Sequence, residues 1–169
     1  MTPILAAAAL TAATVLTGLV AGLYYSFAMS VMPGLARADD RTFLETLRHI
    51  NAAILNGWFA LGFVGAPVLQ VVAAVAVPFV PGGAAALPWL AAAFLCYVVT
   101  LLVTFRVNVP LNNALDAGGP AEGGPADAQR RRDFEAQWVR FNVVRAVFAT
   151  ASLASAAGGV LAYGLGTAG

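Results

Sequence analysis

The chain has 169 residues, 60% of them hydrophobic and 10% charged, with a mean hydropathy of +0.81. That composition excludes a disordered chain, a nucleic-acid binder and an ordinary soluble domain, and leaves an integral membrane protein. Six of the 17 charged residues lie between Arg37 and Arg48 and the other eleven between Arg106 and Arg145; each group is nearly balanced, so the net charge of +1 says nothing about partners.

A charge-free stretch from Met1 to Ala36 predicts one span at roughly 4–29, since about 20 apolar residues cross hydrocarbon as a helix. It lacks the basic start and short apolar core of a secretory leader, so it is read as a helix of the mature chain. Gly18, Gly22 and Ser26 allow close helix contact at four-residue spacing. The same face continues through Tyr25, Met29 and Met32 as an aromatic and thioether wall near the charged side, and Pro33 is expected to end the helix. Asp40 is the candidate N-cap of a helix over Arg41 to Ile50 that feeds a second span, 51–77. Pro78, Pro81-Gly82-Gly83 and Pro88 then punctuate a turn before a third span, 87–105. Pro110 loosens the end of that helix by removing a backbone donor. An Ala/Gly/Pro-rich stretch within 114–126 reads as a flexible tether. Asp127 is the candidate cap of a helix running from Ala128 into a fourth span, 143–165.

The expected fold class is therefore all-α: a single four-transmembrane-helix domain over 1–169, with short helical extensions on one side. All nine arginines sit in or beside the two charged loops. The positive-inside rule puts those loops in the cytoplasm and both termini outside, in a multi-pass protein of a bacterial-type cytoplasmic membrane.

Polar side chains gather on the charged side only. Asn51 and Asn56 lie near the start of the second span, Arg106, Asn108, Asn112 and Asn113 at the end of the third, and Trp138, Asn142 and Arg145 at the start of the fourth. Trp138, Phe141, Asn142 and Arg145 share one helix face by their spacing. Arg145 is the deepest cation of its helix, and a charge at such depth usually faces the bundle interior or a cavity. The asparagines can equally serve as partners for carbonyls freed by Pro110, and Arg106 as a snorkelling anchor. His49 is the only histidine and Cys96 the only cysteine, so neither a multi-histidine metal centre nor a disulfide is expected within one chain. Nor does any catalytic triad, phosphate loop or dinucleotide fingerprint appear.

Several ordered segments carry a family resemblance. Gly22-Leu23-Tyr24-Tyr25-Ser26-Phe27 leads to Val31-Met32-Pro33-Gly34-Leu35. After these come His49-Ile50-Asn51 with Asn56 and Phe59, then Asn108-Val109-Pro110-Leu111-Asn112, then Trp138 followed by Phe141-Asn142-Val143-Val144-Arg145. Together they resemble the anthrone oxygenase-like family of small four-helix membrane proteins. The resemblance implies a cofactor-free oxygenase that turns an anthrone into an anthraquinone. Such chemistry needs a base, donors for a developing oxyanion and a dry, flat pocket. His49 is the candidate base, with Asn51, Asn142 and Arg145 as the other catalytic candidates. Tyr25, Met29, Asn56, Arg106, Asn108, Asn112, Trp138 and Phe141 are the candidate substrate-binding residues. No cofactor, metal or nucleic acid is expected. The partner is an apolar small molecule or a lipid within the membrane, and self-association into a homo-oligomer stays open. The rival expectation is a non-catalytic protein that holds a lipid, a quinone or a partner helix in the same pocket.

Overall fold

The computed structural model describes residues 2–168, and among these all regular structure is helical. In chain order the helices are α1 (Pro3–Ser26), α2 (Met32–Leu35), α3 (Asp40–Ala53), α4 (Gly57–Ala76), α5 (Leu87–Val103), α6 (Val109–Ala117) and α7 (Pro125–Thr167). Four segments are long and apolar enough to cross a membrane: Pro3–Leu35, Gly57–Phe79, Gly83–Ala117 and Pro125–Thr167. One corresponds to each expected span, and the chain is a multi-pass helical membrane protein of the all-α class.

Packing follows a repeating three-four step. Buried positions on α1 run Ala6, Leu10, Ala13, Thr17, Val20, Tyr24. On α7 they run Trp138, Asn142, Arg145, Ala149, Ser152, Ala156, Gly159, Tyr163. This is the spacing that seats one helix along another at a shallow angle. α1 lies against α4 and α7, and α5 against α7, while the seam between α4 and α5 is the loosest of the four. At mid-bundle the fully buried Gln70 of α4 ties the helices together. Its Nε2 donates to Thr17 Oγ1 at 2.9 Å and to Ser152 Oγ at 3.3 Å, and the Ser152 hydroxyl donates to the Ala93 carbonyl at 2.8 Å. Lipid supplies no partners for polar groups, so such a knot fixes depth and register.

Prolines shape three of the long segments. Pro67 inside α4 has no N–H to give the carbonyl four residues back, that of Phe63. The Tyr97 hydroxyl of α5 donates to this carbonyl at 2.9 Å. Pro33 does not end the first helix as expected. A π turn over Phe27–Val31, closed by the Met32 N–H on the Phe27 carbonyl, precedes it, and helix continues to Leu35. The third segment repeats the device: a π turn over Thr104–Asn108, closed by the Val109 N–H on the Thr104 carbonyl, precedes Pro110. In both cases the wider turn lets the chain meet a residue without a donor and remain helical.

Other local expectations shift. The N-cap of α3 is Asp39, whose Oδ1 accepts the Thr42 N–H at 3.0 Å, rather than Asp40. α3 does not run unbroken into the second span but stops after Ala53, and Asn56 caps α4 by accepting the Phe59 N–H at 3.0 Å. Asp127 lies in the first turn of α7, not ahead of it, and accepts the Gly123 N–H at 2.6 Å. Within 114–126, residues up to Ala117 and from Pro125 on are helical, and the 118–124 loop between them is anchored by the Ala121 N–H on Glu45 Oε1 at 2.5 Å. At the opposite end Gly82 adopts φ 74°, and a Cβ there would strike the Gly166 carbonyl. Glycine alone permits both the conformation and the approach.

Candidate functional site

The four spans part near their charged ends around a cavity of about 230 Å³. Its walls come from every long segment: Tyr24 and Phe27 at the end of α1, Asn51 and Ile54 at the end of α3, Phe59 and Phe63 in α4, Thr104 and Asn108 in the π turn after α5, Asn112 and Asp116 in α6, and Trp138, Asn142 and Arg145 in α7. Most of this surface is apolar. Phe59 stacks on Phe63 at 5.0 Å, and Phe63 meets Phe105 edge-on at 5.9 Å, so aromatic rings bridge the α4–α5 seam. Leu55 and Phe105 line the cavity and are also exposed on the outer surface, at 80% and 59%. The cavity therefore opens sideways toward lipid.

The polar groups form one connected set. Trp138 Nε1–H donates to Asn112 Oδ1 at 2.8 Å, and Asn108 Nδ2 donates to the Trp138 carbonyl at 3.4 Å. Asn142 Nδ2 donates to the Tyr24 carbonyl at 3.1 Å, in the stretch just before the first π turn. Asn142 Oδ1 accepts from Arg145 Nη2 at 2.9 Å. The Arg145 guanidinium is 4.4 Å from the Tyr24 ring centroid and 5.3 Å from that of Trp138. Cation–π attraction of this kind contributes roughly 1–2 kcal/mol when desolvated.

Arg145 is only 6% exposed. Among the described residues its guanidinium forms no salt bridge with a carboxylate. Four buried polar atoms around the cavity have no hydrogen-bond partner: Tyr24 Oη, Asn51 Nδ2, Asn108 Oδ1 and Arg145 Nε. Leaving such groups unmade costs about 1–3 kcal/mol each. Concentrated around one cavity beside an uncompensated cation, they suit an apolar ligand with a negative or polarised oxygen. No cluster of three or more His, Cys, Asp or Glu side chains that could hold a metal occurs among the described residues.

Below the cavity a second layer holds the charged ends together. Arg131 of α7 donates to the Ala38 carbonyl at 2.8 Å, the Ala36 carbonyl at 3.0 Å and Asp40 Oδ1 at 3.1 Å, and lies 4.4 Å over the Phe43 ring. The Glu45 carboxyl is held below the usual carboxylate range, first by the Ala121 N–H and then by Arg48. These contacts anchor the end of α2 and the start of α3 on α7, and the 118–124 loop on α3.

Of the residues singled out in the sequence, Asn51, Asn108, Asn112, Trp138, Asn142 and Arg145 line the cavity. His49, Tyr25, Met29, Asn56, Arg106 and Phe141 do not. His49 is exposed on α3, which removes the geometric basis for its role as base. Tyr25 and Met29 are more than half exposed on the lipid side of α1, because the buried stripe passes through Tyr24. Asn56 is consumed as a cap, and Arg106 points outward. Sequence reasoning missed Tyr24, Thr104, Phe63 and Asp116. Tyr24 continues the buried three-four step that begins at Ala6, which packing sets, and Asp116 lies four residues beyond Asn112, itself four beyond Asn108.

Comparison with known families matches the one described as anthrone oxygenase over residues 56–155, more than half of the chain. The match begins at the cap of α4 and ends within α7, so it takes in Asn108, Asn112, Trp138, Asn142 and Arg145. No curated protein and no solved structure matches.

Proposed function

The chain belongs to the anthrone oxygenase family, and on that premise we propose that the cavity binds a flat, apolar ring ketone and promotes its oxidation by O₂. The observation that carries this reading is Arg145, a buried cation without a carboxylate, held between two aromatic rings with its Nε free. An anthrone has a doubly benzylic CH₂ across its central ring from a ketone. Loss of one of these protons gives an enolate whose oxygen faces the Arg145 and Asn142 pair, with Asn51 as a further donor. Hydrogen-bond donors already fixed in a dry site stabilise such charge far better than water does. The enolate carbon transfers electrons to O₂ and forms a C–O bond. Protonation yields a hydroperoxide, and loss of the remaining C–H proton with O–O cleavage gives the quinone and one water. One anthrone and one O₂ thus give one anthraquinone and one H₂O, with no further reductant. Trp138 and the Phe59–Phe63 pair offer ring faces for the substrate. The positive-inside rule supports a cytoplasmic position for the charged face, and the lateral opening supports entry of the substrate from the bilayer.

The test is oxygen uptake by purified protein supplied with anthrone. One O₂ is expected per anthraquinone formed. Arg145→Gln should lower turnover on the order of 10²-fold, and His49→Ala, outside the cavity, should leave it unchanged. Tight binding of anthrone without O₂ uptake above that of buffer would overturn the oxygenase reading in favour of a lipid- or quinone-holding protein.

A further inference from the structure

Removing a carbon-bound proton requires a base at the cavity, and the exposed position of His49 leaves that post empty. The lining asparagines and Arg145 carry no basic lone pair, and the Tyr24 phenol must lose its own proton first. Asp116 is the one carboxylate among the lining residues.

Its placement is specific. Asn108, Asn112 and Asp116 follow one another at four-residue steps and all line the cavity, which puts them on one stripe running from the end of the π turn along α6. The span from Asn108 to Asp116 is two turns, about 12 Å, and runs from full burial to a carboxylate that is 49% exposed. Helical side chains lean toward the N-terminus of their helix, which for Asp116 is inward, toward Asn112. Asn112 is level with Trp138, whose indole it accepts. Arg145 lies deeper on α7 than Trp138, and Asp116 lies shallower than Asn112. By helix register Arg145 and Asp116 therefore flank the Trp138–Asn112 level from opposite sides, as the ketone and the methylene stand on opposite sides of the central ring of an anthrone. The charged groups facing Asp116 are Arg48, whose buried Nε is 4.0 Å from Asp116 Oδ1, and through it Glu45, which accepts from Arg48 Nη1 at 3.0 Å.

We propose that Asp116 is the proton acceptor of this site and that Arg48 positions its carboxylate at the mouth. The proposal rests on the oxygenase reading above. In the step, one methylene C–H bond breaks, the proton passes to an Asp116 carboxylate oxygen, and the electron pair moves through the ring to the ketone oxygen beside Arg145. No oxidant takes part. The exposed side of Asp116 then exchanges the proton with water or returns it to the peroxide.

Without O₂ this step can be followed alone. Purified protein mixed anaerobically with anthrone, in a buffer where free anthrone stays in its keto form, should develop the long-wavelength absorption of the enolate. With Asp116→Asn enolate should form more slowly, on the order of 10²-fold, while Asp116→Glu should retain most of the rate. Anthraquinone, which has no methylene, should bind wild type and Asp116→Asn equally, and this also reports whether the variant is folded. Formate added to Asp116→Ala should restore enolate formation, an effect no structural role of the residue would produce. Enolate formation by Asp116→Asn at the wild-type rate overturns the role of Asp116 and leaves the oxygenase reading standing. Absence of enolate in the wild type overturns both.

Discussion

Arg145 concentrates the energetics of this molecule. A cation inside a span is costly, about 2.5–3.5 kcal/mol at the centre of the bilayer on the milder insertion scales and less toward its edge, and here no carboxylate offsets it. Its compensation comes from the Tyr24 and Trp138 rings and one hydrogen bond to Asn142. Replacing a buried charge by an apolar side chain of similar volume is often neutral or stabilising. Arg145→Met is therefore expected to match or exceed the wild-type Tm in detergent, while an oxyanionic ligand binds about 10–100-fold more weakly, the equivalent of roughly 1.5–3 kcal/mol for a hydrogen bond to a charge. A large fall in Tm would mean that Arg145 serves the fold instead. At this scale the sequence is readable where one helix carries the whole group: Trp138, Asn142 and Arg145 are fixed by spacing on α7 alone. It is unreadable where neighbours compete. Tyr24 and Tyr25 are chemically identical and point about 100° apart, and only the packing of α1 against α4 and α7 decides which turns inward.

At the scale of elements, apparent helix breakers are repaired by partners distant in sequence. Pro67 deprives the Phe63 carbonyl of its donor, and Tyr97, on another helix, replaces it. Tyr97→Phe should cost about 1–3 kcal/mol of stability, the cost of an unmade buried hydrogen bond. Pro67→Ala restores the backbone donor, so in its presence Tyr97→Phe should cost much less. Thermal or denaturant unfolding in detergent of the two single variants and the double variant measures this coupling, and additive losses would contradict the assignment. The same logic explains the misplaced helix ends. Pro33 reads as a stop because the rule concerns an ordinary turn, whereas the chain inserts a π turn ahead of it. The break between α3 and α4 has no glycine or proline ahead of it. It arises because Asn56 forms a better cap than a helical link, a choice visible in sequence as the Asn56-Gly57 pair among apolar residues.

For the whole molecule, the distribution of charge, with the Pro78 to Pro88 turn dividing its longest gap, was sufficient to find four spans, because their lengths are set by the bilayer. The same arginines support the orientation proposed above, which is open to direct measurement. In a Cys96→Ala background, Ala84→Cys in the turn after α4 is expected to react with a membrane-impermeant maleimide on intact cells. Ala36→Cys, on the charged side, should react only after lysis. The reverse pattern would invert the topology. What the charge map could not contain is the looseness of the α4–α5 seam, which depends on how four helices share their contacts. With Leu55 and Phe105 at once in the cavity wall and on the outer surface, the solvent from which the proposed ligand binds is the hydrocarbon itself. Occupancy is then governed by the mole fraction of ligand in the lipid phase: added inert lipid dilutes the ligand, added buffer does not, and an affinity quoted per litre of water describes partitioning as much as recognition.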